Sequence, residues 1–354
     1  MTGGAADPAP PRGSVLAPGN APKVTRRRRL GVLGTFVWDI IYGRDPRDGP
    51  VEEWGGITYA LSALDAALTG DWEIVPVMKV GADLASRARD YLRTLRRMAP
   101  DAALVEVPYP NNRVELRYQS AERRSERLTG GLPPWSWVGL TPLLHDLDAL
   151  YVNFISGMEL DLPTMQLLRQ HYRGPIYCDL HSLLLAIEPS GLRTPRPLTA
   201  VAEWCRCADF IQVNEDEMAL MAPDPVALAA TALEAGVRCL SVTLGSRGVV
   251  YFAPPDFEAM TDLRTHRRSD PLGARPGPVR TALIPAAQAV TGPTQNGDPT
   301  GCGDVWGATY FSRLLAGDKL ADAMRVAVIA AARNVGHRGA TGLAHHLRGE
   351  LSPR

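Results

Sequence analysis

The run LGVLGTFVWDII, residues 30–41, constrains the fold of this 354-residue chain more than any other segment. It is rich in β-branched and aromatic residues, carries no charge before Asp39 and is interrupted only by glycines and one threonine. Such a run reads as a strand buried on both faces, the environment of a parallel sheet covered by helices. The strand is expected to end near Asp39. The following segments keep the rhythm, with helical character over 57–68, a second strand EIVPVMKV over 73–80 and a helix over 83–98. In that helix Leu84, Ala88, Tyr91, Leu92 and Leu95 recur near the 3.6 period. Strand alternating with helix is the signature of an α/β domain.

The middle of the chain departs from this rhythm. Residues 113–119, RVELRYQ, alternate and lead through a polar segment to TGGLPP, the pattern of a half-exposed antiparallel sheet. A small β flap inserted in the main domain is expected. Regular units then resume, with strands over 149–155, 175–180, 209–213 and 239–244 and helices over 162–171, 201–207, 215–221 and 225–235. Residues 256–277, rich in Asp, Arg, Pro and Gly, read as an exposed loop. Residues 1–25 hold almost no large apolar groups and cannot offset the entropy of ordering by burial. Arg26 to Arg29 read as a solvated lead-in to the first strand rather than a phosphate patch. The expected organisation is a disordered tail over 1–28 and one domain over 29–350, with lid segments at about 41–54 and 109–130.

Composition narrows the function. Lys plus Arg and Asp plus Glu are 38 each, so there is no net field to hold a polyanion or an anionic membrane. Neither nucleic acid nor membrane is an expected partner. No stretch approaches the ~18 apolar residues of a membrane span, and the start lacks a signal-peptide core, so a cytoplasmic location is expected. Cys178, Cys205, Cys207, Cys239 and Cys302 show neither CxxC spacing nor neighbouring histidine pairs, which points to reduced thiols.

The chemistry concentrates in DPTGCGD, residues 298–304, followed by VWGATYFSRLLAG. Val305, Ala308, Tyr310, Phe311 and Leu314 suit a helix that stops at Gly317, which puts Gly301 and Gly303 at its N-terminus. That end offers unpaired amides and the positive pole of the helix dipole, and glycines there let an anion approach closely. Asp304 in the first turn reads, on its own, as a favourable N-terminal charge. Thr243-Leu-Gly245-Ser-Arg-Gly248 forms a turn after a strand. Asn214 and Glu217, three apart just beyond a strand, could lie on one face of a helix start, where a cap with a solvated acid is the simplest reading. Gly55-Gly56 precedes a helix, and Gly81-Ala82-Asp83 follows a strand.

In this order the segments resemble the ribokinase-like (PfkB) family of carbohydrate kinases, over residues 29–345. DPTGCGD is similar to the family's D-T-x-G-A-G-D, with Pro299 in place of Thr, Thr300 in the variable position and Cys302 in place of Ala. The resemblance implies a three-layer α/β sandwich, with a mostly parallel central sheet flanked by helices and a small β lid. It implies Asp304 as catalytic base and Gly301, Cys302 and Gly303 as the anion hole. VNEDE implies that Asn214 and Glu217 organise Mg²⁺ through water, and VTLGSRG places Thr243, Gly245 and Gly248 near ATP. Asp39 matches an early aspartate that binds sugar hydroxyls. The double glycine Gly55-Gly56 lacks the Asn that follows it in many sugar kinases and has Tyr59 nearby instead. Asp298 and Thr300 match positions linked to a monovalent cation such as K⁺.

The implied parts are chemically complementary. A sugar hydroxyl is a poor nucleophile and needs a carboxylate to accept its proton, while a helix N-terminus and Mg²⁺ neutralise charge on the transferring phosphoryl group. A closing lid keeps water from competing as acceptor. The expected activity is ATP-dependent phosphorylation of a primary alcohol on a sugar or sugar-like compound, with ATP and that compound as partners and a homodimer as an open option. A nucleoside kinase, with Tyr59 or Trp38 stacking on the base, and a non-catalytic sugar or nucleotide sensor are the alternatives. An NAD dehydrogenase is disfavoured because no G-x-G-x-x-G follows the first strand.

Overall fold

The structure, a computed structural model, describes Met1 and residues 26–42, 49–118, 124–264, 278–288 and 297–350. The expected tail up to residue 25 lies outside the described residues. In chain order the first elements are β1 (Arg28–Leu33), β2 (Phe36–Tyr42), β3 (Val51–Gly56), α1 (Ile57–Ala67), β4 (Trp72–Val77), β5 (Lys79–Gly81), α2 (Ala85–Arg93), β6 (Val105–Val107), β7 (Arg113–Tyr118) and β8 (Arg124–Thr129). The middle comprises α3 (Trp137–Leu140), β9 (Ala149–Asn153), α4 (Leu162–His171), β10 (Ile176–Asp179), β11 (Leu185–Ile187), β12 (Arg193–Pro195), α5 (Val201–Cys205), β13 (Phe210–Asn214), α6 (Glu215–Met221), α7 (Pro225–Glu234) and β14 (Cys239–Thr243). The chain closes with β15 (Val249–Ala253), β16 (Arg280–Ile284), α8 (Cys302–Ala316), α9 (Leu320–Asn334) and α10 (Leu343–Leu347).

Among the described residues the central sheet has eight strands in the order β16-β15-β14-β13-β10-β9-β1-β4. The six from β14 to β4 are parallel, and β15 and β16 complete one edge antiparallel. Both faces are covered, as the apolar strands require. On β9, Ala149 and Tyr151 face a core shared with α1, α8 and α9, whereas Leu150 and Val152 face a core shared with α4, α5 and α7. This is the expected three-layer arrangement. No helix among the described residues is long and apolar enough to cross a membrane.

The run 30–41 is two strands, not one. It breaks at Gly34-Thr35, where a Cβ on Gly34 would lie 2.7 Å from the Ile57 side chain. β1 enters the central sheet, while β2 turns into a separate four-stranded sheet ordered β3-β2-β7-β8. Asp39 therefore lies within a lid strand rather than at the end of the first strand, and the lid begins at Phe36. EIVPVMKV likewise splits at Met78, since β5 leaves the central sheet to pair with β6. The helix expected over 83–98 is confined to Ala85–Arg93. Asp83 instead accepts the Asn111 amide at 2.8 Å and pairs with Arg113 at 2.7 Å, anchoring the root of the lid.

Three of the arginines at 26–29 are bound to the domain, and the last two belong to β1 itself. Arg26 reaches Asp148 at 3.2 Å, Arg28 pairs with Asp71, and Arg29 pairs with Glu73 at 3.3 Å and Asp101 at 2.5 Å. The ordered domain accordingly starts inside the segment assigned to the tail. Phe257, in the loop expected to be exposed, is fully buried, and residues 265–277 of that loop lie outside the described residues.

Candidate active site

Parallel strands place their C-terminal ends along one edge of the sheet, and polar residues gather there. Asn153 closes β9, Asp179 closes β10, Asn214 closes β13 and Thr243 closes β14. The N-terminal turn of α8 meets this edge through two hydrogen bonds. Asn153 Nδ2 donates to Asp304 Oδ1 at 2.7 Å, and Gln212 Nε2 donates to the Gly303 carbonyl at 3.1 Å.

The turn depends on glycine. Gly301 caps the helix at φ +74°, and a Cβ there would lie 2.3 Å from the Tyr59 ring. Tyr59 is itself 2% exposed. The Cys302 amide donates to the Pro299 carbonyl at 3.1 Å, and its thiol lies against the Ala331 carbonyl and the Asn334 amide. Burial pushes that thiol up to about 11, so it stays protonated near neutrality. Burial also lifts Asp304 to about 6, opposed by the Asn153 hydrogen bond and the charge of His181.

Beside Asp304 lies a second acid. Asp179, 5% exposed, is raised to about 8 by burial and then by the charges of Glu217 and Asp304. Glu217 accepts the Asn214 backbone amide at 2.8 Å and its side-chain amide at 2.6 Å, while Asn214 Oδ1 accepts the Glu217 amide at 2.9 Å. Those bonds form the reciprocal cap of α6. His181 Nδ1 also contacts Glu217. Burial works against the imidazolium, but the Glu217 bond and the Glu217 and Asp179 charges outweigh it and raise His181 to about 9.

The lid supplies Asp39. It is 6% exposed and stands opposite Glu53 in the β2–β3 register. A Cβ on Gly55 would lie 1.8 Å from Asp39 Oδ2, so the first glycine of the pair makes room for this carboxylate. Gly56, at φ +56°, caps α1 against Ile155. Asp298 Oδ1 accepts the Thr300 amide at 2.9 Å, and the Thr300 carbonyl accepts from Asn334 at 2.9 Å. At the far end Gly245 is exposed, whereas Gly248, at φ +107°, would bring a Cβ within 2.1 Å of the Ile284 carbonyl and seats the end of β16.

No protein-family model matches the chain, and no curated protein matches its sequence. Solved structures do match. A ribokinase from Thermotoga maritima superposes with a TM-score of 0.64 at 15% identity, over 91% of this chain and 98% of its own. A pyrophosphate-dependent kinase in the ribokinase family, complexed with a pyrophosphate analog and myo-inositol, gives 0.65 at 14% identity over 88% and 96%. The fold is ribokinase-like. A Burkholderia thailandensis nucleoside kinase in complex with inosine agrees, with a TM-score of 0.63 at 18% identity over 89% of this chain and 94% of its own.

Within the ribokinase-like fold one group of side chains gathers. Tyr59 lies near Asp39, Asp298 and Asp304, Gly55 meets Asp39, and Gly301 meets Tyr59. Asp179 links Glu217, with Asn214, to Asp304, while Thr243 pairs with Asn214 in the sheet and Gly245 and Gly248 follow it. Asn153, Asp179, His181 and Gln212 also belong to the group and were not singled out from the sequence. A signal was available for two of them: LYVNF and IYCD each place a polar residue at the end of an otherwise apolar strand, whereas Gln212 lies inside β13 and His181 follows β10 by two residues.

Proposed function

We propose that the chain is an ATP-dependent phosphotransferase that moves the γ-phosphoryl group to a primary alcohol of a sugar-like acceptor, with Asp304 as base. The observation that carries this is the Asp304 carboxylate in the first turn of α8, pinned through one oxygen by Asn153. The carboxylate also accepts its own backbone amide, and as base it would take the hydroxyl proton as attack develops. The anion hole is the same turn. The Cys302 and Asp304 amides are engaged within it, so the amide of Gly303 is the one proposed to meet the phosphoryl oxygens.

Mg²⁺ fits through water rather than directly. No three His, Cys, Asp or Glu among the described residues are grouped to hold an ion. Asp179, Glu217 and Asp304 nonetheless crowd three carboxyls together, with Asp179 and Asp304 raised in part by their neighbours' charge, and hard oxygen donors suit hydrated Mg²⁺. Bound there, the cation would offset charge on the donor phosphates. Glu217 and Asn214 would orient its waters. Asp298 and Thr300 are already bonded within their turn and to Asn334, and no step is assigned to K⁺.

Asp39 is proposed to accept hydrogen bonds from acceptor hydroxyls, with Gly55 and Gly56 shaping the floor. Burial of Tyr59 against Gly301 favours a sugar-like acceptor over a nucleoside stacked on that ring. The test is an acceptor panel of ribose, other sugars, myo-inositol and inosine, with Mg²⁺ and either ATP or pyrophosphate as donor and mass spectrometry of the products. A sugar phosphorylated at its primary hydroxyl by ATP supports the proposal, whereas a product from myo-inositol, whose hydroxyls are all secondary, or from inosine alone would overturn the acceptor assignment. Acceptor binding without turnover on any donor would leave the sensor alternative standing.

A further inference from the structure

Gln212, on β13, is 3% exposed and lies beneath the catalytic turn. Its Oε1 accepts the Tyr177 hydroxyl, while Nε2 donates to Asp179 Oδ2 at 3.1 Å and to the Gly303 carbonyl at 3.1 Å. The amide has one orientation that satisfies all three partners, because flipping it would set an oxygen against a carboxylate and a carbonyl. Tyr177 is fixed in turn, stacked on Tyr151 at 4.8 Å and 6°. Helix α8 rests on this pair only because position 307 is glycine. A Cβ there would lie 2.2 Å from Tyr177 Oη and 2.4 Å from Gln212 Oε1.

We propose that Gln212 is the positioning residue that sets the height and rotation of the catalytic turn over the sheet. Through Gly303 it fixes the residue next to Asp304, and through Asp179 it ties that turn to the neighbouring acid. Side-chain amides pinned from below hold a helix start more rigidly than apolar packing, because the bonds are directional and buried. Displacement of a reacting group by about 1 Å can cost on the order of 10²-fold in rate. The inference rests on the kinase reading for its catalytic consequence but not for the anchoring itself.

The test uses Gln212→Met, similar in shape but without donors, with Gly307→Ala pressing on the same contact from the helix side. Amide hydrogen exchange at 303–307 should accelerate at least about tenfold in Gln212→Met, with the other core amides unchanged. With ATP and the best acceptor, kcat should fall about 10- to 100-fold while both KM values stay within about threefold. Gly307→Ala should show the same split, which keeps the test open if Gln212→Met does not fold. Unaltered exchange at 303–307, or a kcat per folded molecule equal to wild type, would overturn the proposal. If the wild-type chain transfers no phosphoryl group, the kinase reading fails, and the exchange measurement still decides the anchoring.

Discussion

Asn153 donates to Asp304 over 2.7 Å across 151 positions of sequence, from the end of a central strand to the first turn of a helix near the C-terminus. The bond favours the ionised carboxylate and so opposes the upward push of burial. A base poised near 6 is ionised at neutral pH yet still accepts a proton readily, which suits deprotonation of an alcohol during attack.

The rate should carry this signature. With Asp304 required as carboxylate, kcat should rise with pH through about 6 and then level off. Asn153→Ala removes a bond that lowers the acid, so the limb should move to higher pH. A pH–rate profile of both proteins checks this. An unmoved limb would mean that another group sets the profile.

Asp304→Asn should separate activity from stability. Turnover should fall by a factor on the order of 10² or more with ATP and acceptor still bound. The folded carboxyl sits at about 6, above its ordinary value of 3.8, so the folded state holds the proton more tightly than the unfolded chain. Its contribution is therefore fully present below the unfolded value and is lost as pH rises through about 6. Above that, the neutral amide should melt higher than wild type. Thermal melts at pH 4 and pH 8 should show a gap in favour of the variant that grows with pH.

Gly301→Ala joins a left-handed backbone to a clash. The residue sits at φ +74°, with the Tyr59 ring 2.3 Å from the new carbon. A loss of about 1–3 kcal/mol is expected from strain and overpacking. Denaturant melts measure it, and a midpoint equal to wild type would show that the turn adapts.

Asp39→Ala should weaken acceptor binding selectively. A buried lid carboxylate gains most from hydroxyl donors when the site closes, so acceptor KM should rise at least about tenfold, or ~1.4 kcal/mol, with ATP KM little changed. Steady-state kinetics with both substrates varied would decide. An unaltered acceptor KM removes Asp39 from the site.

Local signals were legible wherever one segment holds the whole cause. The apolar strands announced the parallel sheet, and Gly301, Gly303 and Asp304 announced a helix start suited to an anion, because helix termini are made by adjacent residues. The split of residues 30–41 was not legible, since both halves are equally apolar and only the layers they enter differ. Asp39 thereby moved from the end of a core strand into the lid.

The sequence by itself determined the α/β class, most of the elements and the glycine-rich helix start at 301–304. The tertiary structure alone decided which strand ends face that turn. Asn153, Asp179 and Gln212 come from β9, β10 and β13, which lie side by side only because long-range burial orders the sheet β13-β10-β9-β1. A polar residue within or at the end of an apolar strand has no local partner to reveal its task. Its hydrogen bonds form only once the helix over it is seated, and that seating depends on the absence of a single methyl group at Gly307.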